Sequence, residues 1–192
     1  MGDFVNPYIS HPALATFAQL ADEFCGFLEG EEASPSRGFI QRLHHLLSRL
    51  YLGALELPHT DVLFGPENDD EEASNAQADN YRREELEQQI RQVVARLAGY
   101  LGEIDYYLEV FDPYETSNAE PVGGSLVDDI SDIYRDLLAG LRQWERGESG
   151  AALWEWRFNF EVHWGEHAIS AIRAIHTRAA FYDLGWFNAD PT

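Results

Sequence analysis

None of the eight prolines interrupts an apolar stretch of three-four spacing, and that placement constrains the fold more than any other feature. Proline removes a backbone donor and clashes with the preceding turn inside a helix, so prolines kept between periodic stretches leave those stretches free to be helical. Pro12 and Pro35 sit just inside predicted helix starts, in Ser10-His11-Pro12 and Ser34-Pro35, where proline is tolerated. Pro58, Pro66, Pro113 and Pro121 lie between the periodic segments.

The segments read as five helices. The first covers 11–29, with Leu14, Phe17, Leu20, Ala21, Phe24 and Leu28 on one face and Gly30 as its stop. The second covers 36–57 with Phe39, Leu43, Leu46, Leu47, Leu50, Ala54 and Leu55 inward, ended by Pro58. Residues 59–79 read as a flexible acidic loop, since 67–72 holds five acids in six positions. The third helix is predicted over 80–111, with Gly99 and Gly102 as places to kink or split it and Asp112-Pro113 as its end. A Pro/Gly/Asn connection follows over 113–124. The fourth helix starts at Ser125, with Asp128 three positions on as the capping-box acid, and ends at Gly147. The fifth is long, over 150–182. On its wheel Leu153, Trp156, Phe160, Trp164 and Ala171 share one face, and Trp154, Phe158, Val162, Ile169 and Ile172 make a second. A helix apolar on two sides belongs in the middle of a bundle. The pattern contains no internal repeat and no convincing strand. The expected fold is a compact all-α bundle of five to six helices with a long central C-terminal helix, one domain over 1–192.

Composition removes function classes. All 13 basic residues are arginine, against 34 acids, for a net charge of −21. Without lysine there is no Schiff-base enzyme, no P-loop NTPase and no protein kinase, since each needs an ammonium at its centre. The acidity argues against nucleic acid and anionic membranes as partners. It is uneven: 1–36 carries −6, 59–79 carries −7 and 101–150 carries −9, whereas 37–58 sums to +2 and 80–100 to +1. The single cysteine, Cys25, reads as core and allows no intrachain disulfide. The first basic residue is Arg37, so the N-terminus lacks the positive start of a secretory signal, and no window reaches membrane-span length. The expected location is cytoplasmic.

Several constellations carry chemistry. His163-Trp164-Gly165-Glu166-His167 reads H-x-x-E-H, which resembles the inverzincin zinc-protease motif, but no glutamate occurs among the 25 residues after His167 to serve as the distant ligand. His163 and His167 still share a helical face at i, i+4 and are metal-ligand candidates, with His44 or His45 as a third. One histidine on the second helix and a later H-x-x-x-H is similar to the metal triad of the DinB-like four-helix proteins. The alternative is ordinary packing, with neutral histidines hydrogen-bonded inside the bundle. Asp128, Asp129, Asp132 and Asp136 stud the fourth helix. Glu84-x-x-Glu87 with Asp129-x-x-Asp132 resembles the magnesium-binding carboxylates of all-helical nucleotide pyrophosphatases. On the wheel Asp132 points away from the apolar face, while Asp129 and Asp136 sit at its edge. Asp105, Tyr106, Tyr107 and Glu109 form a further polar group for Arg135, Arg157 or Arg173, and Arg157 and Glu161 make an i, i+4 pair.

Three segments resemble a known family: Tyr107–Pro113 (YLEVFDP), Gly124–Leu137 (GSLVDDISDIYRDL) and Ala152–His167 (ALWEWRFNFEVHWGEH). Together they resemble the bacterial all-helical domain-of-unknown-function family 5063. The likeness covers most of the chain and is strongest over 104–176. The resemblance implies a helical domain with no established activity, and it implies that the Asp-rich start of the fourth helix and the Trp/His segment face each other.

Two functions follow as expectations. The leading one is a non-enzymatic acidic protein-binding or regulatory domain, immunity-like or antitoxin-like, without a cofactor, for a basic partner protein or a homodimer. The other is a metal-dependent hydrolase using a divalent ion held by His163 and His167 with Asp129, Asp132 or Asp136. Convergence of these side chains in space favours the second reading, and separate burial favours the first.

Overall fold

The fold is that of a computed structural model, which describes residues 11–30, 37–59, 76–110, 112–115, 117 and 120–181, without the side chains of 37 and 76–83. Its elements are α1 (Pro12–Glu29), α2 (Arg37–Leu55), α3 (Ala76–Leu101), β1 (Tyr106–Val110), β2 (Pro121–Ser125), α4 (Leu126–Glu145), α5 (Ser149–Asn159) and α6 (Gly165–Phe181). A five-residue π-turn, Phe160–Trp164, joins α5 to α6. The C-terminal helix foreseen from the sequence is therefore one rod over 149–181 with a wide turn in its middle. The chain is an all-α bundle carrying a small hairpin. No helix among the described residues is long and apolar enough to cross a membrane.

Local chemistry accounts for most boundaries. His11 caps α1 through its Nδ1, which accepts from the Ala13 N–H at 3.3 Å, and Pro12 follows as the first helical residue. Ser125 caps α4: its Oγ accepts from the Asp128 N–H at 3.2 Å. Gly147 leaves α4 with φ +80°, a left-handed value that glycine adopts without strain. The predicted loop 59–79 falls mostly on 60–75, outside the described residues, as does Pro35; α3 begins at Ala76 rather than near 80.

The predicted third helix is too long. It ends at Leu101, a short 3-10 turn follows, and Gly102 takes φ +45°. The chain then forms β1, which pairs antiparallel with β2 in the register Tyr106↔Ser125, Tyr107↔Gly124 and Leu108↔Gly123. Tyr106-Tyr107-Leu108-Glu109-Val110 alternates between exposed and half-buried positions, the period of two that a strand needs. Thus two strands stand where no strand was expected.

The core runs through every helix. α4 packs on α1, α3, α5 and α6, while the rod also meets α2. Ile130, Ile133, Tyr134, Leu137 and Leu141 of α4 are buried, with Leu153, Trp156, Phe160 and Trp164 of the rod. The rod's second apolar face is only partly covered: Phe158 is 41%, Val162 59% and Ile169 43% exposed. Trp156 lies directly against α4, where its indole N–H donates to the Leu137 carbonyl at 3.1 Å. Gly140 makes the space, since a Cβ there would fall 2.1 Å from the indole nitrogen. Cys25 is buried, as expected.

Candidate functional site

α4 presents Asp129, Asp132 and Asp136 at i, i+3 and i+7, one stripe along its surface. The rod presents His163 and His167 opposite. Trp156, Phe160, Trp164 and Ala168 are all buried at successive spacings of four, and a regular α-helix rotates such a series steadily off its face. The π-turn takes up the extra rotation, holds this line on the core, and leaves His163 and His167 on its flank, facing the aspartates. Gly165 closes that turn: a Cβ there would lie 2.2 Å from the Phe160 carbonyl oxygen.

The two helices meet in paired hydrogen bonds. The Nδ1 of His163 donates to Asp136 Oδ2 at 2.7 Å, and the Nδ1 of His167 donates to Asp129 Oδ1 at 2.8 Å. Asp132 Oδ2 lies 3.6 Å from His167 Nε2, and its other oxygen is engaged by Arg135. Ligand atoms of Asp132, His163 and His167 all fall within 4.8 Å of one another. Asp132 therefore joins the seam instead of pointing away. His163 and His167 are half-buried, their rings 5.0 Å apart and nearly perpendicular.

The electrostatics follow from burial and partners. Asp129 is only 5% exposed, and its bond to His167, ahead of the opposing effect of burial, raises the imidazole above its ordinary value. Burial pushes the Asp136 carboxyl up, against the pull of His163. On the far side of Asp129, Tyr107 donates its phenolic O–H to Oδ2 at 2.6 Å. Burial, reinforced by that carboxylate, pushes the phenol well up, so it remains a donor. The hairpin makes this contact possible. A Cβ on Gly124 would sit 2.4 Å from the Tyr107 ring, so only glycine lets the ring lie across β2. Glu109, on the same inner face of β1, accepts from Ser170 of α6 at 2.6 Å. Asp105 pins the hairpin to the start of α4, taking the Val127 N–H at 2.8 Å and the Ser125 hydroxyl at 2.9 Å.

Other candidates lie elsewhere. Arg157 is buried, but its guanidinium donates to the Ala54 carbonyl at 2.9 Å, to Glu161 at 2.8 Å and to His59 at 3.2 Å. Arg157 and Glu161 therefore tie the rod to the end of α2 and do not join the histidines. His44 packs 5.9 Å from the ring of His176, His45 is exposed, and the metal-capable group among the described residues contains neither. The third member of that group, Asp132, comes from α4, not α2. Glu87 pairs with Arg91 on α3 at 3.4 Å, and neither it nor Glu84 belongs to that group. A groove lined by Glu85, Arg142, Glu145 and Arg146 holds none of the candidate residues. Asp105, Tyr107 and Glu109, grouped along the sequence with arginines as expected partners, bond instead to Ser125 and Val127, to Asp129 and to Ser170. Their actual roles were readable only from the strand period of β1.

The arrangement defines an all-α bundle whose central seam carries a carboxylate–histidine cluster braced by a hairpin. The chain belongs to the domain-of-unknown-function family DUF5063, whose sequence pattern matches residues 9–180. The crystal structure of protein BF1032 from Bacteroides fragilis is similar in fold, with a TM-score of 0.63 and 24% sequence identity, covering 88% of this chain and 96% of that one. No curated protein matches the chain.

Proposed function

We propose that this protein holds a divalent transition-metal ion, of the zinc type, at the α4–α6 seam, with Asp132, His163 and His167 as ligands, and uses it for hydrolytic chemistry. The observation that carries this reading is that each imidazole gives its Nδ1 to a separate aspartate. That bond fixes the ring and the tautomer, and it leaves Nε2 as a lone-pair donor, the arrangement common around metal-bound histidines. Asp136 and Asp129 orient, while Asp132 supplies the third ligand from its Oδ2. Two histidines and one carboxylate leave positions free for water and substrate. A bound ion supplies Lewis acidity and a water ionised near neutrality.

Docking of a basic partner protein on an acidic surface accounts less well for these residues. Asp129, Asp132 and Asp136 belong to the most acidic block of the chain, yet they are directed at the histidines. The test is thermal. Zinc or nickel added to purified chain raises its melting temperature through binding to the native state, and His163→Ala abolishes the rise. No rise in the wild type, or an equal rise in the variant, removes the reading.

A further inference from the structure

We propose that the open edge of β1 is a docking site for a partner protein, which adds an extended segment of alternating basic and apolar residues as a third strand. The register gives this edge its donors and acceptors. The Leu126 N–H donates to the Asp105 carbonyl at 2.9 Å, so Asp105 turns its backbone groups to β2. Tyr107 and Glu109, two and four residues on, do the same in the pairs Tyr107↔Gly124 and Glu109↔Val122. The alternate residues Tyr106, Leu108 and Val110 therefore turn their N–H and C=O groups away from β2. Pro121, which has no N–H, stands opposite Val110, in a pair that needs none. β1 pairs only with β2 among the described residues.

The same three residues carry the outer face of the hairpin. Tyr106 is 82%, Leu108 71% and Val110 39% exposed. Gly123 stands opposite Leu108 and Pro121 opposite Val110, so β2 covers them little. Edge strands are usually guarded by an outward charge or a proline. The outer face of β1 has neither, since its one acid, Glu109, turns inward to Ser170. An added strand gains main-chain bonds to Tyr106, Leu108 and Val110 and lays its own apolar side chains beside theirs. Charge selects the occupant. From 97 to 134 the chain carries nine acids and no arginine or histidine. Glu103, Asp112, Glu115 and Glu120 are exposed around the hairpin. A basic segment meets complementary charge there, whereas a second copy of this chain would set acid against acid. Tyr107 and Glu109 hold the inner face on α4 and α6, so the outer edge accepts a strand without disturbing the seam and needs no metal there.

A fluorescein-labelled peptide of alternating valine and arginine, about nine residues long, titrated into the full chain and read by anisotropy, tests this. The expected result is saturable binding at low salt that weakens several-fold at about 0.3 M salt. The matching valine–glutamate peptide binds at least about tenfold more weakly. By NMR hydrogen exchange, the bound peptide slows the amides of Tyr106, Leu108 and Val110 and leaves those of Tyr107 and Glu109 unchanged. Leu108→Pro removes the central outward donor, spares every bond to β2, and lowers peptide affinity about tenfold. Leu108→Arg, a change at an exposed position, lowers it as much and covers the case in which proline disturbs the hairpin. Leu52→Arg, exposed on α2, binds as wild type. No binding at low salt, equal binding of the glutamate peptide, undiminished binding by Leu108→Arg, or unchanged exchange at Tyr106, Leu108 and Val110 overturns the proposal. A dimer in the ultracentrifuge that Leu108→Arg dissociates puts a second copy on the edge and overturns the basic occupant.

Discussion

α4 meets the C-terminal rod along one seam with two unlike stretches. Toward the end of α4 the seam is apolar: Trp156 fills the space over Gly140 and bonds the Leu137 carbonyl. Toward its start Asp129, Asp132 and Asp136 face His163 and His167. The π-turn at Phe160–Trp164 marks the changeover. The same two helices thus divide the work. One stretch excludes water and supplies stability, and the other gives up apolar burial for a set of fixed donors and acceptors. Buried polar groups cost stability unless each is paired, and here each histidine and each aspartate has a partner. The polar stretch is held by its own brace, the hairpin, through Tyr107 and Glu109.

The contrast can be broken from either side. Gly140→Val strikes the apolar stretch. Its side chain would overlap the Trp156 indole, and overpacking of a full core costs about 3 kcal/mol, read as a lower urea midpoint. Zinc affinity of the folded fraction is expected to stay within a few-fold of wild type. Gly165→Ala strikes the boundary. The new methyl would collide with the Phe160 carbonyl, so the π-turn must reset at a cost of about 2 kcal/mol. Because that turn sets the flank on which His163 and His167 sit, this variant is expected to lose zinc binding as well. A Gly165→Ala protein that binds zinc normally would break the link between the turn and the site.

Tyr107→Phe strikes only the polar stretch. Removing the donor to Asp129 loosens the orienter of His167, and outer-shell losses of this kind weaken metal binding by about tenfold or more. Calorimetric zinc titration reads the change. Tyr106→Phe, on the exposed outer face of β1, is the matched control and is expected to change nothing.

The smallest effect concerns a histidine outside the seam. Burial, followed by the nearby His176 and His45, lowers the pKa of His44 from its ordinary 6.5, and its Nε2 is buried without a partner among the described residues. His167, with a carboxylate beside it, moves the opposite way. A depressed folded value means that the unfolded chain takes up the proton first. The contribution of His44 to stability is therefore intact above about pH 6.5 and declines as the pH falls below it. His44→Gln is expected to flatten the acid side of a melting-temperature profile between about pH 5 and 7 by a few tenths of a kcal/mol. An unchanged slope would show that other groups set it.

Much of this architecture was legible in advance because it rests on local rules. The stripes of α1, α2 and α4 (apart from Leu55, expected inward and 55% exposed), the Pro12 start, the Ser125 cap and the Gly147 stop all depend on neighbours within one or two turns. The pairing of Asp129 and Asp136 with the H-x-x-x-H segment was half legible, since each sat at the edge of an apolar face. Three features were not. The strand β1 was hidden because a helical pattern can be carried through Leu101 into Tyr107 when Gly102 is treated as a kink. Asp132 was misplaced because a regular wheel ignores the reach of a side chain across a seam. The π-turn is invisible to any fixed period; its traces are Gly165 and the four-residue spacing of Trp156, Phe160, Trp164 and Ala168. Arg157 was read as a site residue on charge alone, and only the fold shows it closing the end of α2.

On the proposed reading, Asp132, His163 and His167 form one metal centre. Anomalous X-ray scattering at the zinc edge, from crystals grown with zinc and a second set grown with His167→Ala, tests it most directly. A single strong peak is expected in wild type at about 2.0–2.2 Å from the Nε2 atoms of both histidines and from Asp132 Oδ2, with its loss in the variant. A wild-type map with no peak at the seam, or a peak that survives in His167→Ala, would contradict it.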